Sequence, residues 1–498
     1  MNDYLSVVVR RFRIVLWNVG TLFTWFSVIL LFPLVFLIFY PEEVHYALGF
    51  VESAVLSFMF GIAMKLASNI KESHVITVQE GAVIVLFSWI FAIFFSALPF
   101  VFMKILNFSQ AVFEATSGWT TTGLTMITDV TKIPRIFLVW RSTMQFIGGA
   151  GFAIIMLAAL IGPLGIGLYS AEGRVDNILP NIKQSAKIMM IIYITYAVFG
   201  FFALWIAGMP PFDAFNHSLT ALATGGFSTK NGSIGEFNNL RIEVVTIFLM
   251  FLGATGFGIH YTLWKGNIKV LLKNGEPWLL FSTAFLMTLF VFPQTIGVLY
   301  RSAGEGFRRT LFQIVSAITG TGFSTADLSK WNVFPLGLFV LTVLMMLGGM
   351  MDSTAGGLKQ FRLFVLGKVI FYTVVDFVNP KRIVRRIEVW KGESVRYVNP
   401  SMLKDMLVFF GIYFVTYFVG VFILLSYGYS LSDSMFEFSS AMNGVGLSIG
   451  LTGPDDPLGV IWTMTIGMFL GRLEFIVILY AIMRIIKDLR ILISGSRR

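Results

Sequence analysis

Hydrophobic and polar positions alternate along this chain in long blocks. Two apolar runs, 14–40 and 47–68, come first and are joined by the polar link Pro41-Glu42-Glu43. Eight more runs follow as four pairs: 79–104 with 136–162, 186–208 with 242–264, 278–300 with 333–347, and 402–427 with 458–485. Since an apolar helix of about 20 residues spans a bilayer, the pattern predicts ten spans in an all-α polytopic membrane protein.

Each pair of runs encloses a short helical segment and a polar loop. The first segment, Ser109 to Trp119, covers roughly 17 Å, about half of a hydrocarbon core near 30 Å thick. We predict that such a helix enters the membrane and that the chain then returns to the same surface. The loops that follow the four segments are named loop 1 (120–125), loop 2 (223–228), loop 3 (319–324) and loop 4 (443–448).

The four loops are imperfect copies of one motif. A glycine occupies the same register in each: Gly123, Gly226, Gly322 and Gly446. The next two residues read Leu-Thr, Phe-Ser, Phe-Ser and Leu-Ser. Such repetition predicts four helix–pore loop–helix repeats with fourfold pseudosymmetry. It divides the chain into an N-terminal two-helix membrane hairpin (1–72) and repeats 1 to 4 (73–180, 181–275, 276–398 and 399–498).

Composition and charge exclude several functions. Of the 498 residues, 56% are hydrophobic and 13% charged, where a soluble domain carries about 25% charge; mean hydropathy is +0.80. There is no cysteine and the four histidines are scattered, so we expect no disulfide, metal-ligating histidine cluster or enzyme active site. The net charge of +10 comes from basic residues in short loops, so we expect no nucleic-acid partner.

The distribution of basic residues also predicts topology. Predicted inner segments carry more Lys and Arg than outer loops, where basic residues are interleaved with acidic ones such as Asp129 and Glu305. Both termini are therefore expected on the inner, cytoplasmic side. The most basic inner stretch, Lys381 to Arg396, is interpreted as a solvated loop and as a natural docking face for a partner.

Four irregular loops around one axis would make a ring suited to an alkali cation. Backbone of this kind is tolerated at membrane depth where it is buried in protein or lines a watery cavity. Glycine lets carbonyl oxygens turn inward, and rings of carbonyls replace the hydration shell of potassium. The alternative, small-residue helix packing, explains one motif better than four in register. The predicted ion-binding residues are Thr121, Thr122, Gly123, Thr224, Gly225, Gly226, Gly320, Thr321, Gly322, Gly444, Val445 and Gly446.

These motifs resemble those of the Trk/Ktr/HKT superfamily of potassium transporters over nearly the whole chain. The resemblance is carried by Ala115-Thr116-Ser117-Gly118, by loop 1, by Gly-Phe-Ser-Thr at 226–229 and 322–325, by Asn443-Gly444-Val445-Gly446 and by Gly471-Arg472. Two additional N-terminal helices make the chain most similar to the TrkH/TrkG branch. The family implies one filter glycine per repeat. Serine at the first such position accompanies sodium transport in plant relatives, so Gly123 favours potassium.

The resemblance also implies location and partners. It implies potassium uptake across the cell inner membrane by a homodimer that contacts membrane lipid and a cytoplasmic TrkA-type subunit sensing NAD or adenine nucleotides. Potassium is the expected bound ion. The chain has no Gly-rich strand–turn–helix for phosphate, so no organic cofactor is expected on it.

Two features below the predicted filter indicate control of the ion path. Four glycines in ten residues interrupt the second apolar run of repeat 3 and disfavour a stable helix. The resemblance implies an intramembrane gating loop there, with a static kink as the alternative; its predicted gating residues are Gly348, Gly349, Asp352, Ser353, Gly356 and Gly357. Arg472 lies roughly 20 Å into its helix. We expect it to raise a barrier to cations, the alternative being a structural pairing with Glu474 or a carbonyl.

A polar residue stands nine positions before each loop glycine: Glu114, His217, Gln313 and Glu437. We expect these residues to brace the loops by hydrogen bonds, although a carboxylate there could also attract cations. Gln145 and His260 are interpreted as ordinary packing or bundle hydrogen bonds.

Functions other than a passive potassium channel stay open. The first is a proton- or sodium-coupled symporter of the same superfamily. A transporter of organic solutes is disfavoured because its repeats would be inverted, whereas these run in one sense. A non-conducting scaffold or enzyme subunit predicts no ion flux from the purified protein.

Overall fold

The computed structural model describes residues 2–69, 76–151, 182–378, 386–473 and 475–495. Within these ranges the chain is helical apart from loops and one two-stranded hairpin. Some features named above lie outside the described residues, including Lys381, Glu474 and the continuation of the run 136–162 beyond 151.

The N-terminal part forms a hairpin of two helices, α1 (Asn2–Leu30) and α2 (Ala47–Ser68). Two 3₁₀ turns, Phe32–Ile38 and Pro41–Tyr46, connect them. The helices touch at glycines, since a Cβ on Gly61 would lie 2.6 Å from the backbone nitrogen of Thr24. Small residues of this kind let two membrane helices pack with their backbones close together.

The rest of the chain repeats the order long helix, shorter helix, loop and further helix. Repeat 1 contains α3 (Val78–Phe102), α4 (Phe108–Trp119) and α5 (Arg135–Ala150). Repeat 2 contains α6 (Ile182–Ile206), α7 (Pro211–Leu222), α8 (Leu240–Ala254), α9 (Phe257–Trp264) and α10 (Lys269–Lys273). Next come α11 (Gly275–Thr295), α12 (Ala303–Thr319), α13 (Pro335–Leu347) and α14 (Gln360–Val378). Repeat 4 contains α15 (Pro400–Ser426), α16 (Leu431–Met442), α17 (Leu458–Arg472) and α18 (Phe475–Gly495).

Three of the helices that precede the loops begin at a side-chain cap, formed by Asn107, Ser302 and Ser430, whereas α7 begins after Pro210 without one, and the four helices differ in length. Asn107 and Gln110 form a capping box at the start of α4, each side chain accepting from the other's backbone amide. The helices α4, α7 and α16 have 12 residues each, whereas α12 has 17. The expectation of a half-length helix is therefore wrong for repeat 3, because 17 residues extend to about 26 Å.

Interrupted second helices are not confined to repeat 3. The predicted continuous helix 242–264 is wrong, because α9 leaves α8 at an angle of 105°. The predicted helix 458–485 is likewise divided into α17 and α18, which are bent by 100°. After Ala254 the lost helical hydrogen bonds are replaced, since the amides of Met350 and Thr354 donate to the carbonyls of Ala254 (2.9 Å) and Gly253 (3.1 Å). Tertiary contacts thus satisfy backbone groups that periodicity assigned to a helix.

The basic stretch near the end of repeat 3 is more than a solvated loop. Its strands β1 (Glu388–Lys391) and β2 (Ser394–Tyr397) pair in antiparallel fashion. Val389 is fully buried and Lys391 is 6% exposed. The Lys391 ammonium lies 3.8 Å from the Asp352 carboxylate and 5.2 Å from the centre of the Phe361 ring. The interpretation as a solvated loop is wrong for β1, which packs against Asp352 and Phe361, whereas all four residues of β2 are exposed.

Among the described residues, six helices are long and apolar enough to cross a membrane, or eight if each bent pair counts as one span. Of the other two predicted spans, 136–162 is described only up to residue 151 and contains α5, of 16 residues, and 333–347 contains α13, of 13 residues. The protein is a multi-pass membrane protein, and the number of ten spans stays a prediction.

Candidate functional site

The four loops leave their helices through the same backbone hydrogen bonds. The amide two residues before each loop glycine donates to a helix carbonyl at 3.1–3.2 Å. The next amide donates to the carbonyl six residues before the glycine at 2.8–2.9 Å. The pairs of this second kind are Thr122 with Ser117, Gly225 with Thr220, Thr321 with Ser316, and Val445 with Ser440. Each helix therefore ends with its last carbonyls satisfied by its own loop.

Two residues in every loop have a left-handed backbone. The φ angles of the loop glycines are 96° for Gly123, 74° for Gly226, 85° for Gly322 and 94° for Gly446. Two positions earlier, φ is 56° for Thr121, 49° for Thr224, 68° for Gly320 and 63° for Gly444. A β-branched residue is strained in this region, so both threonines mark a conformation imposed by their surroundings. The four loops share one backbone shape.

The loops contact one another in cyclic order. A Cβ on each loop glycine would collide with the carbonyl oxygen of the residue just before the next loop's glycine, at 1.8–2.4 Å. The contacts run from Gly123 to Gly225, from Gly226 to Thr321, from Gly322 to Val445 and from Gly446 to Thr122. The fourth contact returns to loop 1, so the loops close a ring in which these positions have no room for a side chain.

A cavity of about 250 Å³ opens at this ring. All four loop glycines line it, together with the hydroxyl residues Thr125, Ser228, Ser324 and Ser448. Arg141 and Lys230 line it as well. The structure thus brings together the loop glycines that the repeat pattern singled out.

The residues nine positions before each glycine brace the loops, as the sequence predicted. Each contacts the hydroxyl residue two positions after the glycine, with distances of 3.0 Å for Glu114 and Thr125, 2.9 Å for His217 and Ser228, 2.7 Å for Gln313 and Ser324, and 2.7 Å for Glu437 and Ser448. The same hydroxyl oxygens accept a backbone amide two residues further on, at 2.9–3.2 Å. Helix and loop are therefore joined in the same way four times.

The two bracing carboxylates have different electrostatic environments. Arg141 donates from Nε to Glu114 at 2.7 Å, and both side chains are almost completely buried. Glu437 instead accepts from Ser448, the amide of Ile449 and Thr452, all neutral donors, at 2.7–2.8 Å. A buried ion pair in repeat 1 therefore corresponds, in repeat 4, to a buried carboxyl group whose hydrogen-bond donors are all neutral.

The segment 348–357 contacts three of the loops. The Thr354 hydroxyl is 3.0 Å from that of Thr224 in loop 2 and donates to the Gly253 carbonyl at 2.9 Å. A Cβ on Gly356 would lie 2.2 Å from the carbonyl oxygen of Asn443 in loop 4, and one on Gly320 in loop 3 would lie 3.7 Å from Ala355. The predicted gating residues Gly348, Asp352 and Gly357 have φ angles of 63°, 58° and 73°, and Gly349 and Ser353 lie between them.

Arg472 connects this segment to repeat 1. Its guanidinium donates to the carbonyls of Thr354 (2.6 Å), Gly148 (2.6 Å) and Gly149 (3.1 Å). These bonds are a pairing with carbonyls, which the sequence analysis named as one interpretation of Arg472, and the barrier to cations stays a prediction. The carbonyls belong to the end of α5 and to the irregular segment 348–357, so the guanidinium at the end of α17 joins two other parts of the chain.

Two side chains of α5 reach loop 2. Gln145 is interpreted above as making ordinary packing contacts or bundle hydrogen bonds, and it does make hydrogen bonds, which go to loop 2. Its Nε2 donates to the Gly225 carbonyl at 2.5 Å and its Oε1 accepts the Phe227 amide at 3.1 Å. Arg141 was not singled out, although an arginine inside an apolar run is itself a signal of function. His260 makes bundle hydrogen bonds, as expected, to the Leu252 carbonyl (2.9 Å) and the Tyr196 hydroxyl (3.2 Å).

Comparison with known proteins identifies the family. The family model "TrkH: Cation transport protein" matches residues 50–488. The chain belongs to this family. It is 30% identical to "Uncharacterized cation transporter MJ1485" of Methanocaldococcus jannaschii over 90% of each chain. It is also 28% identical to "Trk system potassium uptake protein TrkH" of Escherichia coli K12, over 94% of this chain and 98% of that one.

A solved structure agrees with this assignment. The crystal structure of the potassium transporter TrkH from Vibrio parahaemolyticus matches with a TM-score of 0.83 and 27% identity, over 94% of this chain and 98% of that chain. The family consists of membrane cation transporters, so this chain is a transport protein rather than an enzyme. Among the described residues, no group of three or more His, Asp or Glu is placed to hold a metal ion by side chains.

Proposed function

We propose that the chain takes up potassium across the cell inner membrane through one central pore, with the four loops as its selectivity filter. The cyclic contact of the four loop glycines carries this proposal, since a closed ring of irregular backbone is the arrangement that carbonyl coordination of a cation needs. The names of the relatives from E. coli and V. parahaemolyticus, which describe potassium uptake, support the choice of ion.

The proposed ligands are backbone oxygens of the twelve filter residues predicted above, three from each loop. Potassium is the substrate ion rather than a resident cofactor. The shared left-handed positions give the four loops one conformation, so that four like carbonyls meet around a single ion. Gly123 at the first filter position supports potassium over sodium.

The proposed gate consists of 348–357 and Arg472. The segment contacts loops 2, 3 and 4, and Arg472 joins it to the end of α5. A guanidinium beside the exit of a cation filter raises the energy of a passing ion, and its hydrogen bonds hold the segment in place. We place both termini in the cytoplasm and propose a homodimer that binds a TrkA-type nucleotide-sensing subunit at the inner face. We propose that the N-terminal hairpin (1–72) and the four repeats, the last of which is 399–498, are the five domains of the chain.

A reconstitution experiment tests this function. The purified protein in liposomes is expected to carry potassium much faster than sodium, and flux should persist without a pH or sodium gradient. Flux that requires one of these gradients would instead favour the coupled symporter. Absence of flux, with protein correctly inserted and the cytoplasmic subunit added, would overturn the proposal in favour of a non-conducting role. Protein-free liposomes from the same preparation are the control.

A further inference from the structure

Three repeats set the second helix against the loop-bearing helix in the same register. A Cβ on one glycine of each second helix would lie 1.6–2.4 Å from the carbonyl oxygen of the residue four positions before the loop glycine. The pairs are Gly148 with Trp119, Gly253 with Leu222, and Gly471 with Met442. These close approaches put the sequences of α5, α8 and α17 in one register. Residues the same number of positions from these glycines can therefore be compared.

In this register, repeat 1 differs from repeats 2 and 4. Three residues before the contact glycine stand Gln145, Met250 and Met468. All three side chains are fully buried. An amide therefore occupies a place where the other two helices have thioethers that cannot donate a hydrogen bond.

The Gln145 amide is bonded on both sides of a loop glycine. Its Nε2 donates to the carbonyl of Gly225, and its Oε1 accepts the amide of Phe227, so the two bonds flank Gly226. Arg141, one turn away on α5, donates to the carbonyl of Ser228, three residues after Gly225, at 3.2 Å. In the described part of the chain, no donor is hydrogen-bonded to the three carbonyls equivalent to that of Gly225, which belong to Thr122, Thr321 and Val445.

We propose that Gln145 is a specificity-determining residue, which engages one of the four equivalent filter carbonyls and so weakens that carbonyl as a cation ligand. The inference rests on the proposed function, because it takes these carbonyls as ion ligands. Gln145 Nε2 lies 2.5 Å from the Gly225 oxygen, and the positive end of its N–H dipole, which points at that oxygen, opposes a cation there. A ring of lower field strength binds a small cation less well and so favours potassium over sodium. The second bond, from Phe227, keeps the loop from shifting to compensate.

Two substitutions separate these effects. Gln145→Glu keeps the shape and the acceptor for the Phe227 amide but removes the donor to Gly225, and it places negative charge beside the ring. Gln145→Met installs the residue found in repeats 2 and 4 and removes both bonds. Both variants are expected to lower the ratio of potassium to sodium flux in liposomes by roughly two- to tenfold, the range of a single hydrogen bond. Met468→Leu, a change at the same register in repeat 4, should leave the ratio unchanged.

The outcomes are distinct. Conducting Gln145→Glu protein with the wild-type ratio would overturn the inference while leaving the proposed function intact. A lowered ratio in Gln145→Met alone would also overturn it, because the donor bond would then not be the determinant. If Gln145→Met does not fold, as judged by its elution profile and unfolding temperature, the isosteric Gln145→Glu variant decides. No potassium flux from wild-type protein would overturn the proposed function and the inference together.

Discussion

The ring of four loops and the segment 348–357 that packs against it differ in how often their contacts recur. In the ring, each contact occurs four times: the same helix exit, the same left-handed positions and the same brace between helix and loop. The segment 348–357 occurs once, and Arg472 holds it by carbonyls from two different parts of the chain. Repeated contacts suit a site whose parts must be alike, as in coordination of one ion. Single contacts suit an element that moves or is moved.

The largest effect on potassium flux is expected from a substitution that places a side chain inside the ring of loops. Gly446→Ala would place a Cβ 2.0 Å from the Thr122 carbonyl oxygen, and overpacking of this kind costs about 1–3 kcal/mol or displaces the neighbour. We expect potassium flux in liposomes to fall by roughly five- to 150-fold, since each 1.4 kcal/mol corresponds to about a factor of ten.

Gly450→Ala is the matched control for Gly446→Ala. Gly450 also has a positive φ, 86°, but nothing lies within 4 Å of its Cβ position. Backbone strain is thus similar while the collision is absent. Equal loss of flux in the two variants would show that strain, and not closure of the ring, is what the glycines serve.

The next prediction compares the stability effects of removing the charge from each of the two bracing carboxylates. Glu114→Gln leaves the buried Arg141 guanidinium without its counter-charge, and breaking a buried pair typically costs about 3–5 kcal/mol. Glu437→Gln leaves no buried charge unpaired, because the donors to Glu437 are neutral. Thermal unfolding of the purified protein should therefore shift strongly in the first variant and much less in the second. Equal shifts would mean that the repeats do not differ electrostatically in the way the contacts indicate.

A third prediction concerns the unique region. Arg472→Ala removes three hydrogen bonds from a charged donor, each worth about 1.5–3 kcal/mol at most. If these bonds and the positive charge oppose conduction, basal potassium flux should rise several-fold and depend less on the cytoplasmic subunit. Arg472→Lys keeps the charge but cannot reach three carbonyls in the fork geometry of arginine. Unaltered flux in Arg472→Ala would remove this residue from the gate.

The smallest effect on stability is expected at Asp129, in the segment that follows loop 1. Asp129 accepts from Thr131 and from Asn231, which follows loop 2, and with Lys132 nearby these bonds hold the pKa of its carboxyl well below the usual range. A carboxyl with a lowered pKa stabilises the fold above its unfolded-state pKa, and the contribution is lost as the pH falls below that value. Unfolding temperatures of wild type and Asp129→Asn should therefore differ slightly at pH 7, and the difference should shrink below about pH 4. A constant difference would show that the ionised form is not responsible.

Sequence repetition predicted the ring better than it predicted the helices around it. The register of Gly123, Gly226, Gly322 and Gly446 was readable because an identical steric demand recurs four times. The break after Ala254 was not readable, because α8 is apolar to its end and its freed carbonyls are satisfied by a segment about a hundred residues later. The local sequence pattern predicts hydrogen bonds within one helix. It carries no information about a hydrogen-bond partner that lies far away in the sequence.

The sequence by itself determined that this is a membrane protein with four copies of a glycine loop, each braced from the residue nine positions earlier. It could do so because helices in lipid need long apolar runs. In addition, each place where two backbones come into close contact needs a glycine, so a repeated contact leaves a repeated glycine in the sequence. Only the tertiary structure decided that the loops meet in cyclic order, that Gln145 bonds a carbonyl of loop 2, and that Arg472 holds the segment 348–357. These contacts join residues distant in sequence, and their geometry depends on how the helices pack rather than on any one stretch of chain.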